Sequence, residues 1–444
     1  MLFGKNLFKG RNKVYFKGIK TVQASRKGNK KMKEIDNILK EYNQEHLLKY
    51  LNNASDEQRK VLINEINGID FTNLKRLFHT SKMNNEEKLL GEKIEHISYV
   101  DKYKLSKDEF ARLEKIGNDI IKNNQYAVVT MAGGQGTRLG HSGPKGTFLL
   151  NVKPEPKYLF QIIAEGLEKN NTKYGITLNW YIMTSTENHD KTVEFFKEHN
   201  FFGYPKEHIR FFNQGNLPLL SEDGKLLVDE NYNIKIAADG NGCIYKAMAE
   251  DGIIDDMKNK NIKWVFIGAV DNAILEMVVP VLLGLTVDQK NEIGTKSVVK
   301  NSPKERVGVF CKKDGKPAVI EYSELPDEMA EEIDKDGELL FGESHIMCNL
   351  FSIDAIEKIS KQNLPYHSAH KKANYLKEDG TMFYATEPNA YKYEAFIFDG
   401  FNFFDNITIL RGKREVDFAP IKNKEGNDSP ETAIRLYNNK YGIM

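Results

Sequence analysis

The sequence predicts an α/β fold built on a Rossmann-like, mostly parallel sheet, with a helical region before it and a short extension after it. Two observations lead to this prediction. From residue 126 onwards, short apolar runs alternate with segments of helical periodicity. Before residue 126, the periodicity is mainly helical. Strands that alternate with helices typically form a parallel sheet that is covered on both faces.

Composition and periodicity divide the chain into four parts. These are a basic leader (1–31), a helical N-terminal region (32–122), the α/β domain (123–400) and a short C-terminal region (401–444). The leader contains ten Lys or Arg and no Asp or Glu. We interpret it as a flexible leader, or as sequence upstream of a natural start at Met32. A targeting peptide is the alternative, but the leader lacks an amphipathic arginine-rich face and a cleavage pattern.

Three helices are predicted in the helical region. Residues 36–51 place apolar side chains at helical spacing, and two further helices cover residues 55–66 and 106–121. Ser55 and Ser106 are the expected N-caps, because a serine hydroxyl accepts a hydrogen bond from the first turn of the helix. Glu109 stands three residues after Ser106, as in a capping box.

The α/β domain is predicted to begin with four strands separated by helices. The predicted strands are residues 126–131, 178–183, 209–212 and 263–270, and the clearest helices are 158–169 and 190–198. Further on, residues 308–311 and 318–322 flank an Asp-Gly turn signal, which predicts a hairpin. Ligands of such sheets bind beyond the carboxyl ends of the strands, so the loops at those ends are where a site is expected.

Composition indicates a globular protein without an anionic macromolecular partner. Hydrophobic residues make up 40% of the chain and charged residues 29%, and 64 basic residues nearly balance 63 acidic ones. This balance predicts neither a nucleic-acid nor a membrane partner. Cys243, Cys311 and Cys348 are widely spaced. They are typical of buried thiols in a reducing compartment, so a cytoplasmic location is expected.

The most distinctive motif follows the first predicted strand. Residues 128–148 read VVTMAGGQGTRLGHSGPKGTF, a buried strand that leads into a glycine-rich loop carrying Arg138 and Lys145. Glycines let backbone N–H groups approach phosphate oxygens closely, and the two cations add fixed positive charge. Lys145 precedes a glycine rather than Ser or Thr, which excludes a Walker A loop, and Leu139 replaces the third glycine of the dinucleotide fingerprint. The sequence therefore predicts a polyphosphate-binding loop of another kind.

Polar residues at other loops and strands suit a ligand site. Gln214 follows a strand and could contact the edge of a base, although a loop amide often caps its own backbone. The sequence DGNG at residues 239–242 is a turn signal, or a place where the backbone approaches a planar ligand. Asp271 ends a strand and could bind Mg²⁺ or cap the next helix. Glu321 could accept hydrogen bonds from sugar hydroxyls, or it is an exposed strand carboxylate.

Taken in order, these segments resemble the eukaryotic-type UDP-N-acetylglucosamine pyrophosphorylases, a group of UTP:sugar-1-phosphate uridylyltransferases. The matching motifs are AGGQGTRLG, PKG, LFQ, WYIMTS, EFF, QGxLP, DGNG, VDN, VGV, EYSE, HxAxKK, FxFD and PxKN. They follow the family's order from about residue 100 to residue 423. The resemblance implies a nucleotidyltransferase sheet of the GT-A-like type.

The resemblance also implies roles for individual residues. Phosphate groups would be held by Arg138, Lys145, Lys392 and Lys422, and Mg²⁺ by Asp271. The nucleoside would contact Gly133, Gly134, Gln214 and Gly240, with Asn241 at the ribose or the sugar. The sugar pocket would be lined by Gly308, Glu321, His345, Phe396 and Phe398. His367 and His370 have no partner at metal spacing and are not expected to bind a metal.

The implied reaction joins UTP and a sugar 1-phosphate into a UDP-sugar and releases pyrophosphate. The sugar phosphate is already an anion, so in-line attack on the α-phosphorus needs alignment and nearby cations rather than a general base. Magnesium is the expected cofactor. UTP and the sugar 1-phosphate are the expected partners of a monomer or weak homo-oligomer.

This sequence departs from the family pattern at three places. His345 stands where the family has an asparagine near the N-acetyl group, which leaves a plain hexose as an alternative substrate. Cys243 follows DGNG where the family often has glycine. The chain ends 21 residues after Asn423, so oligomerisation through the family's C-terminal domain is not expected.

Overall fold

The computed structural model describes residues 26–82 and 93–442. Most of the predicted leader, residues 1–25, lies outside the described residues. The chain forms two compact units. The smaller unit takes in Met1–Asn84, Leu217–Ala237 and Ser368–Tyr393, and the larger takes in Asn85–Asn216, Ala238–His367 and Glu394–Met444, as far as these are described. This division differs from the predicted boundaries, because the helical region and the α/β domain each contribute to both units.

In chain order, the α-helices of the described residues are α1 Arg26–Glu41, α2 Leu47–Asn53, α3 Asp56–Gly68, α4 Phe71–Ser81, α5 Lys107–Lys122, α6 Leu159–Tyr174, α7 His189–Glu198, α8 Ile244–Glu250, α9 Ile253–Asn259, α10 Pro280–Asp288, α11 Asp327–Ala330, α12 Ile353–Ser360, α13 Arg414–Asp417 and α14 Pro430–Lys440. Among residues 26–82 and 93–442, no helix has the length and apolar character needed to cross a bilayer.

The strands, also in chain order, are β1 Ile94–Glu95, β2 Val100–Asp101, β3 Tyr126–Met131, β4 Leu149–Leu150, β5 Lys157–Tyr158, β6 Asn179–Thr184, β7 Ile209–Asn213, β8 Asn216–Pro218, β9 Leu220–Ser221, β10 Ile236–Ala238, β11 Trp264–Ala269, β12 Ile293–Val299, β13 Val309–Lys313, β14 Lys316–Ile320, β15 Glu343–Ser352, β16 His367–Lys371, β17 Tyr375–Leu376, β18 Met382–Phe383, β19 Ala390–Glu394 and β20 Thr408–Arg411.

An 11-stranded mixed sheet forms the centre of the larger unit, with the order β2-β20-β12-β15-β11-β3-β6-β7 and with β13, β14 and β1 branching from β15. β11, β3, β6 and β7 run parallel to one another, whereas β15 is antiparallel to both of its neighbours β11 and β12. The predicted α/β fold with a mostly parallel sheet is therefore confirmed. The four strands predicted first are all present, each within one or two residues of its predicted bounds.

Both faces of this sheet are covered. Alternate residues of β3 belong to separate hydrophobic clusters: Val128 packs in the cluster of Leu282, and Val129 packs in that of Met248. On one face, two glycines let α5 and α10 lie close together. A Cβ on Gly117 would lie 2.0 Å from the carbonyl oxygen of Pro280. Burial on both faces explains why β3 reads as a continuous apolar run rather than as an alternating one.

The order of the parallel strands creates a crevice in this sheet. The chain first adds β6 and β7 on one side of β3 and later returns to add β11 on the other side. Loops that follow neighbouring strands diverge at such a switch point, and ligands bind there. β3 and β11 finish at the same level, with Met131 opposite Ala269. The glycine-rich loop and the Asp271 loop therefore begin side by side.

In the smaller unit, polar side chains from the helical region hold the strand-forming segments. The Gln44 side chain, 4% exposed, donates to the carbonyl of Gly224 (2.8 Å) and accepts from the N–H of Leu226 (2.8 Å). The Tyr50 hydroxyl donates to the carbonyl of Leu376 (2.7 Å). β16, β19 and β9 form a three-stranded sheet in this order.

Two predictions about elements were wrong. The predicted helix over residues 36–51 is interrupted: α1 ends at Glu41, Asn43 has a positive φ of 56°, and α2 begins at Leu47. The region predicted as a short C-terminal extension contributes β20 to the central sheet, between β2 and β12. The Ser55 and Ser106 caps were correct, since their side chains accept from Gln58 and Glu109.

Candidate active site

The glycine-rich loop leaves the carboxyl end of β3 and folds back on itself. The N–H of Lys145 donates to the carbonyl of Gly134 (3.0 Å), which joins the far end of the loop to its beginning. The buried Asn188 side chain donates to the carbonyl of Ala132 (2.9 Å) and fixes the start of the loop. A Cβ on Gly134 would meet nothing within 4 Å. The loop therefore offers open space beside Gly134, where a ligand can approach the backbone.

Lys145 and Asp271 meet at the switch point. Lys145 Nζ lies 3.0 Å from Asp271 Oδ2, and the two side chains are 16% and 24% exposed. Burial alone would raise the pKa of Asp271, but the nearby ammonium groups of Lys145 and Lys422 outweigh it and hold this pKa below its ordinary value. The structure thus brings together three predicted site residues from three distant segments. Asp271 is ionised at neutral pH, and the cluster carries excess positive charge.

The remaining predicted phosphate ligands lie elsewhere. Arg138 is exposed on the short turn Thr137–Leu139 within the glycine-rich loop, where its side chain is accessible to an anion. Lys392 belongs to β19 of the smaller unit. Its role stays a prediction.

Three segments converge near the predicted nucleobase position. A Cβ on Gly133 would lie 2.7 Å from Gln214 Nε2, so the glycine is needed for this close approach. The side chain of Asp239 lies against Gly215, and burial raises the pKa of Asp239 to about 6. Gly240 has a φ of 98°, and a Cβ there would lie 2.3 Å from the carbonyl oxygen of Ala395. The structure therefore brings Gly133, Gln214 and Gly240 into one region, and their role stays a prediction.

Asn241 supports the segment that carries two residues predicted to line the sugar pocket. Its side-chain oxygen accepts from the N–H of Ile397 (2.8 Å). Phe396 and Phe398 flank Ile397 in sequence, and their ring centroids lie 5.1 Å apart. Asn241 thus fixes the segment that carries both aromatic residues predicted to line the sugar pocket.

Gly308, Glu321 and His345 form a second group of predicted sugar residues. A Cβ on Gly308 would lie 2.8 Å from Val319 and 3.0 Å from the Glu321 carboxylate. The N–H of His345 donates to the carbonyl of Gly308 (2.9 Å). Burial first, and then the neighbouring Glu324, raises the pKa of Glu321 above its ordinary value. The three residues predicted from dispersed motifs are thus adjacent.

The side chain of His345 is uncharged and is surrounded by aromatic rings. It is 6% exposed and packs at near-right angles against the rings of Phe310, Phe398 and Phe401. Its Nε2 lies 3.0 Å from Asn349 Oδ1. Because a carbonyl oxygen only accepts, we assign the ring proton to Nε2, which leaves Nδ1 as an acceptor. Burial lowers the pKa of His345 to about 4, so the ring is uncharged at neutral pH.

His367, by contrast, is a charged side chain. Its Nε2 lies 3.2 Å from both oxygens of Asp399, its Nδ1 lies 3.6 Å from Glu324, and its ring lies 4.7 Å from that of Phe396. Burial alone would lower the pKa of His367, but Asp399 and Glu324 raise it to about 9. Asp399 also accepts from the N–H of Phe396 (2.8 Å). The imidazolium and Asp399 therefore hold the Phe396 segment together.

This arrangement predicts a specific pH dependence of stability. The folded-state pKa of His367 is about 9 against an ordinary 6.5, so its contribution is complete below pH 6.5 and is lost as the pH rises through 9. The shift corresponds to about 3 kcal/mol. We expect His367→Gln to lower the melting temperature at about pH 6 and to have a much smaller effect at about pH 10. A melting-temperature difference that is the same at both pH values would contradict the charged state of His367.

Two buried asparagines were missed by the sequence analysis. Asn188 ties the glycine-rich loop to the N-terminal end of α7 and is fully buried. Asn272 follows Asp271 and is 3% exposed. A single sequence gives no signal for either, because each side chain bonds to backbone groups of distant segments.

The structure allows a test of whether these residues suit Mg²⁺. Among the described residues, no three His, Cys, Asp or Glu side chains converge to hold a metal. Protein-bound Mg²⁺ usually takes one or two carboxylates, and substrate phosphates and water complete its octahedron. Asp271 is ionised and partly exposed, and its Oδ2 contacts Lys145. The donor set therefore fits a metal that is bound together with a polyphosphate.

Comparison with known proteins shows the family of this chain. A sequence model of the UTP–glucose-1-phosphate uridylyltransferase family matches residues 70–429. The chain belongs to this family. The UDP-N-acetylglucosamine pyrophosphorylase of Saccharomyces cerevisiae is 40% identical to it over 338 residues, which are 73% of this chain and 70% of the yeast protein.

Solved structures of the uridylyltransferase family share its fold. The UDP-N-acetylglucosamine pyrophosphorylase of Trypanosoma brucei, solved with an inhibitor, has a TM-score of 0.75 at 29% identity over 91% of this chain and 84% of that one. The UDP-glucose pyrophosphorylase of Leishmania major has a TM-score of 0.55 at 15% identity, over 78% of this chain and 72% of that one. The second likeness concerns the fold alone.

Proposed function

We propose that the protein is a uridylyltransferase that converts UTP and N-acetylglucosamine 1-phosphate, or a related N-acetylhexosamine 1-phosphate, into the UDP-sugar and pyrophosphate. The observation that carries the proposal is the cluster of Lys145, Asp271 and Lys422 at the switch point, beside a glycine-rich loop. The names of the similar proteins support the N-acetylated sugar over a plain hexose.

Chemistry in this site is expected to depend on placement and charge. An oxygen of the sugar phosphate attacks the α-phosphorus of UTP, the bond between that phosphorus and the oxygen bridging to the β-phosphorus breaks, and pyrophosphate leaves. The nucleophile needs no deprotonation. Negative charge grows on the phosphoryl oxygens and on the leaving group, and fixed cations in a partly dehydrated site stabilise it.

Each cation has an expected task in this scheme. Lys145 and Arg138, on the loop after β3, would hold the UTP phosphates and the departing pyrophosphate. Lys422 and Lys392 would neutralise the phosphate groups during transfer. When bound at Asp271, Mg²⁺ would add positive charge at the phosphoryl oxygens. Binding of UTP would draw Lys145 from Asp271 towards phosphate, because a flexible lysine can exchange one anion for another.

The two substrates would be recognised by two separate groups of residues. The uracil would lie beside Gly133, Gln214 and Gly240, where glycines allow close contact and an amide can both donate and accept. The sugar would lie among Gly308, Glu321 and the aromatic residues Phe396 and Phe398. A carboxylate beside a hydrophobic wall is suited to a hydroxyl-bearing ring.

A plain hexose 1-phosphate remains the alternative substrate, because His345 replaces the family's asparagine. A test is pyrophosphate release from UTP and Mg²⁺ with the 1-phosphates of N-acetylglucosamine, N-acetylgalactosamine, glucose and galactose. We expect a higher kcat/KM for the N-acetylated pair. A preference for the plain hexoses would establish the alternative, and no release with any of the four would refute transfer.

His345→Asn tests the role of this side chain in the choice of sugar. Asparagine offers a donor and an acceptor, whereas the neutral His345 offers only Nδ1 once Nε2 is bonded to Asn349. We expect the ratio of kcat/KM for N-acetylglucosamine 1-phosphate to that for glucose 1-phosphate to rise about 10-fold. An unchanged ratio would remove His345 from the sugar pocket.

We further propose a cytoplasmic enzyme that acts as a monomer or weak homo-oligomer. Cys243, Cys311 and Cys348 are buried thiols, which suits a reducing compartment. Size-exclusion chromatography with light scattering would measure the oligomeric state, and a tight oligomer would contradict this part of the proposal.

A further inference from the structure

The segment that leads to Lys422 lies against the loop that carries Asp271. The N–H of Ala273 donates to the carbonyl of Ala419 (3.0 Å), and the N–H of Ile421 donates to the carbonyl of Asp271 (2.9 Å). These bonds make a short antiparallel bridge, in which Asn272 pairs with Pro420. Asp271 and Lys422 are thus placed on two adjacent strands of chain that are 151 positions apart in sequence.

Asn272 bonds to both sides of this bridge. Its Nδ2 donates to the carbonyl of Asp417 (2.8 Å), and its Oδ1 accepts from the N–H of Ala419 (2.9 Å) and that of Ile274 (3.3 Å). The side chain is 3% exposed. The carboxamide donates to the carbonyl through its nitrogen and accepts from the two amides through its oxygen. Aspartate cannot make the donated bond, and alanine leaves the buried backbone groups of residues 417 and 419 without these partners.

The two ends of the segment have their own anchors. At one end, Asp417 (3% exposed) is paired with Lys296 (2% exposed) of β12. At the other end, the N–H groups of Lys422 and Asn423 donate to the carbonyl of Asp428 (2.7 and 3.0 Å). Lys422 Nζ also lies 5.5 Å from the centre of the Phe418 ring. Asn272 is therefore the side chain that joins the Asp271 loop to residues 417–419 of the segment, whereas the far end is held at Asp428.

We infer that Asn272 is a positioning residue that sets the place of Lys422 relative to Asp271. The inference rests on the proposed uridylyl transfer and adds to it a residue that touches no substrate. Without Asn272, the anchors at residues 417 and 428 keep the segment folded, but residues 418–421 can move. An error of about 1 Å in the place of a cation that meets the transferred phosphoryl group can lower the rate about 100-fold.

The inference is tested by Asn272→Ala alone and combined with Lys422→Ala. We expect Asn272→Ala to lower kcat about 10-fold or more with little change in the KM for UTP. In the Lys422→Ala background, Asn272→Ala should change kcat by less than about 2-fold, because the group that it positions is already absent. Equal effects in both backgrounds, or an unchanged kcat, would overturn the inference. Asn272→Ser, which keeps a hydroxyl able to make one of the bonds, replaces the alanine variant if that variant does not fold.

Asn171→Ala is the matched control. Asn171 is 5% exposed and its side-chain oxygen accepts from the N–H of Leu178 (3.0 Å), at the amino end of β6 and so at the opposite end of the strand from the site. We expect a similar loss of melting temperature and an unchanged kcat. A fall in kcat in this control as large as that in Asn272→Ala would show that lost stability alone explains the result.

Hydrogen exchange separates this inference from the proposed function. In Asn272→Ala, the amides of Ala419 and Ile421 should exchange at least about 10-fold faster than in the wild-type protein, whatever reaction the site performs. A wild-type protein that transfers no uridylyl group but shows this change would refute the proposed function and leave the positioning role of Asn272 intact. Unchanged exchange at both amides would refute that role.

Discussion

Lys145→Ala lowers kcat at least about 10²-fold while the protein stays folded; this is the first of the two largest effects that we expect. The ammonium group of Lys145 lies at the switch point, 3.0 Å from Asp271 and 16% exposed. In a partly dehydrated site, a fixed cation stabilises charge on a phosphoryl group much more than it would in water. The loss should appear in kcat and in kcat/KM alike, since the stabilised charge develops only in the transition state.

The control for this variant is Lys157→Ala. Lys157 is 15% exposed and is paired with Glu165, so it matches Lys145 in burial and in having a carboxylate partner, but it belongs to β5, immediately before α6. We expect near-wild-type turnover from the control. Near-wild-type turnover in Lys145→Ala itself would mean that the phosphate site has been wrongly placed.

Asp271→Ala is the second variant for which we expect a large effect, again a fall in kcat of at least about 10²-fold. The variant removes the carboxylate proposed to hold Mg²⁺ and leaves Lys145 and Lys422 close together without the anion between them. The Mg²⁺ concentration that gives half-maximal activity should therefore rise in Asp271→Ala, whereas Lys145→Ala should leave it nearly unchanged. Steady-state rates measured over a range of Mg²⁺ concentrations compare the two.

Asp256→Ala controls for the loss of a carboxylate with similar exposure. Asp256 is 25% exposed, against 24% for Asp271, and it is bonded to Lys260 and to the Tyr181 hydroxyl. We expect no change in the Mg²⁺ requirement of this control. An unchanged requirement in Asp271→Ala would refute Asp271 as the metal ligand.

The parallel half of the sheet was predictable because its signals are local. All six residues of β3 are buried, and five of them are apolar. A central strand covered on both faces gives such a run. The glycine-rich loop was recognisable for a similar reason, since its glycines and cations lie within 13 residues, from Gly133 to Lys145.

β15 was not predicted, because its polar residues hide the pattern. Glu343, Ser344, His345 and Asn349 are all buried in this strand. Their partners come from other strands: Glu343 is bonded to Arg411 of β20 and to Ser297 of β12. A buried polar strand can be recognised only when these partners are known. The same holds for β20, which the sequence analysis placed in a terminal extension.

In the site, the sequence predicted candidate residues but not how they are arranged. The resemblance supplied Asp271, Lys145 and Lys422 as separate residues, and the structure brings them to one cluster. His367 was dismissed as a metal ligand from its spacing alone, yet it is held as a cation by Asp399 and Glu324, which are 32 and 43 positions away in sequence. Long-range pairing of this kind cannot be inferred from spacing.

One measurement tests the central claim most directly. The protein is incubated with UTP, Mg²⁺ and N-acetylglucosamine 1-phosphate labelled with ¹⁸O in the non-bridging phosphate oxygens, and the products are followed by ³¹P NMR. Attack by the sugar phosphate on the α-phosphorus predicts equal amounts of UDP-N-acetylglucosamine and pyrophosphate, with all the ¹⁸O in the UDP-sugar. Label in the pyrophosphate, or hydrolysis of UTP without a UDP-sugar, would contradict uridylyl transfer at this site.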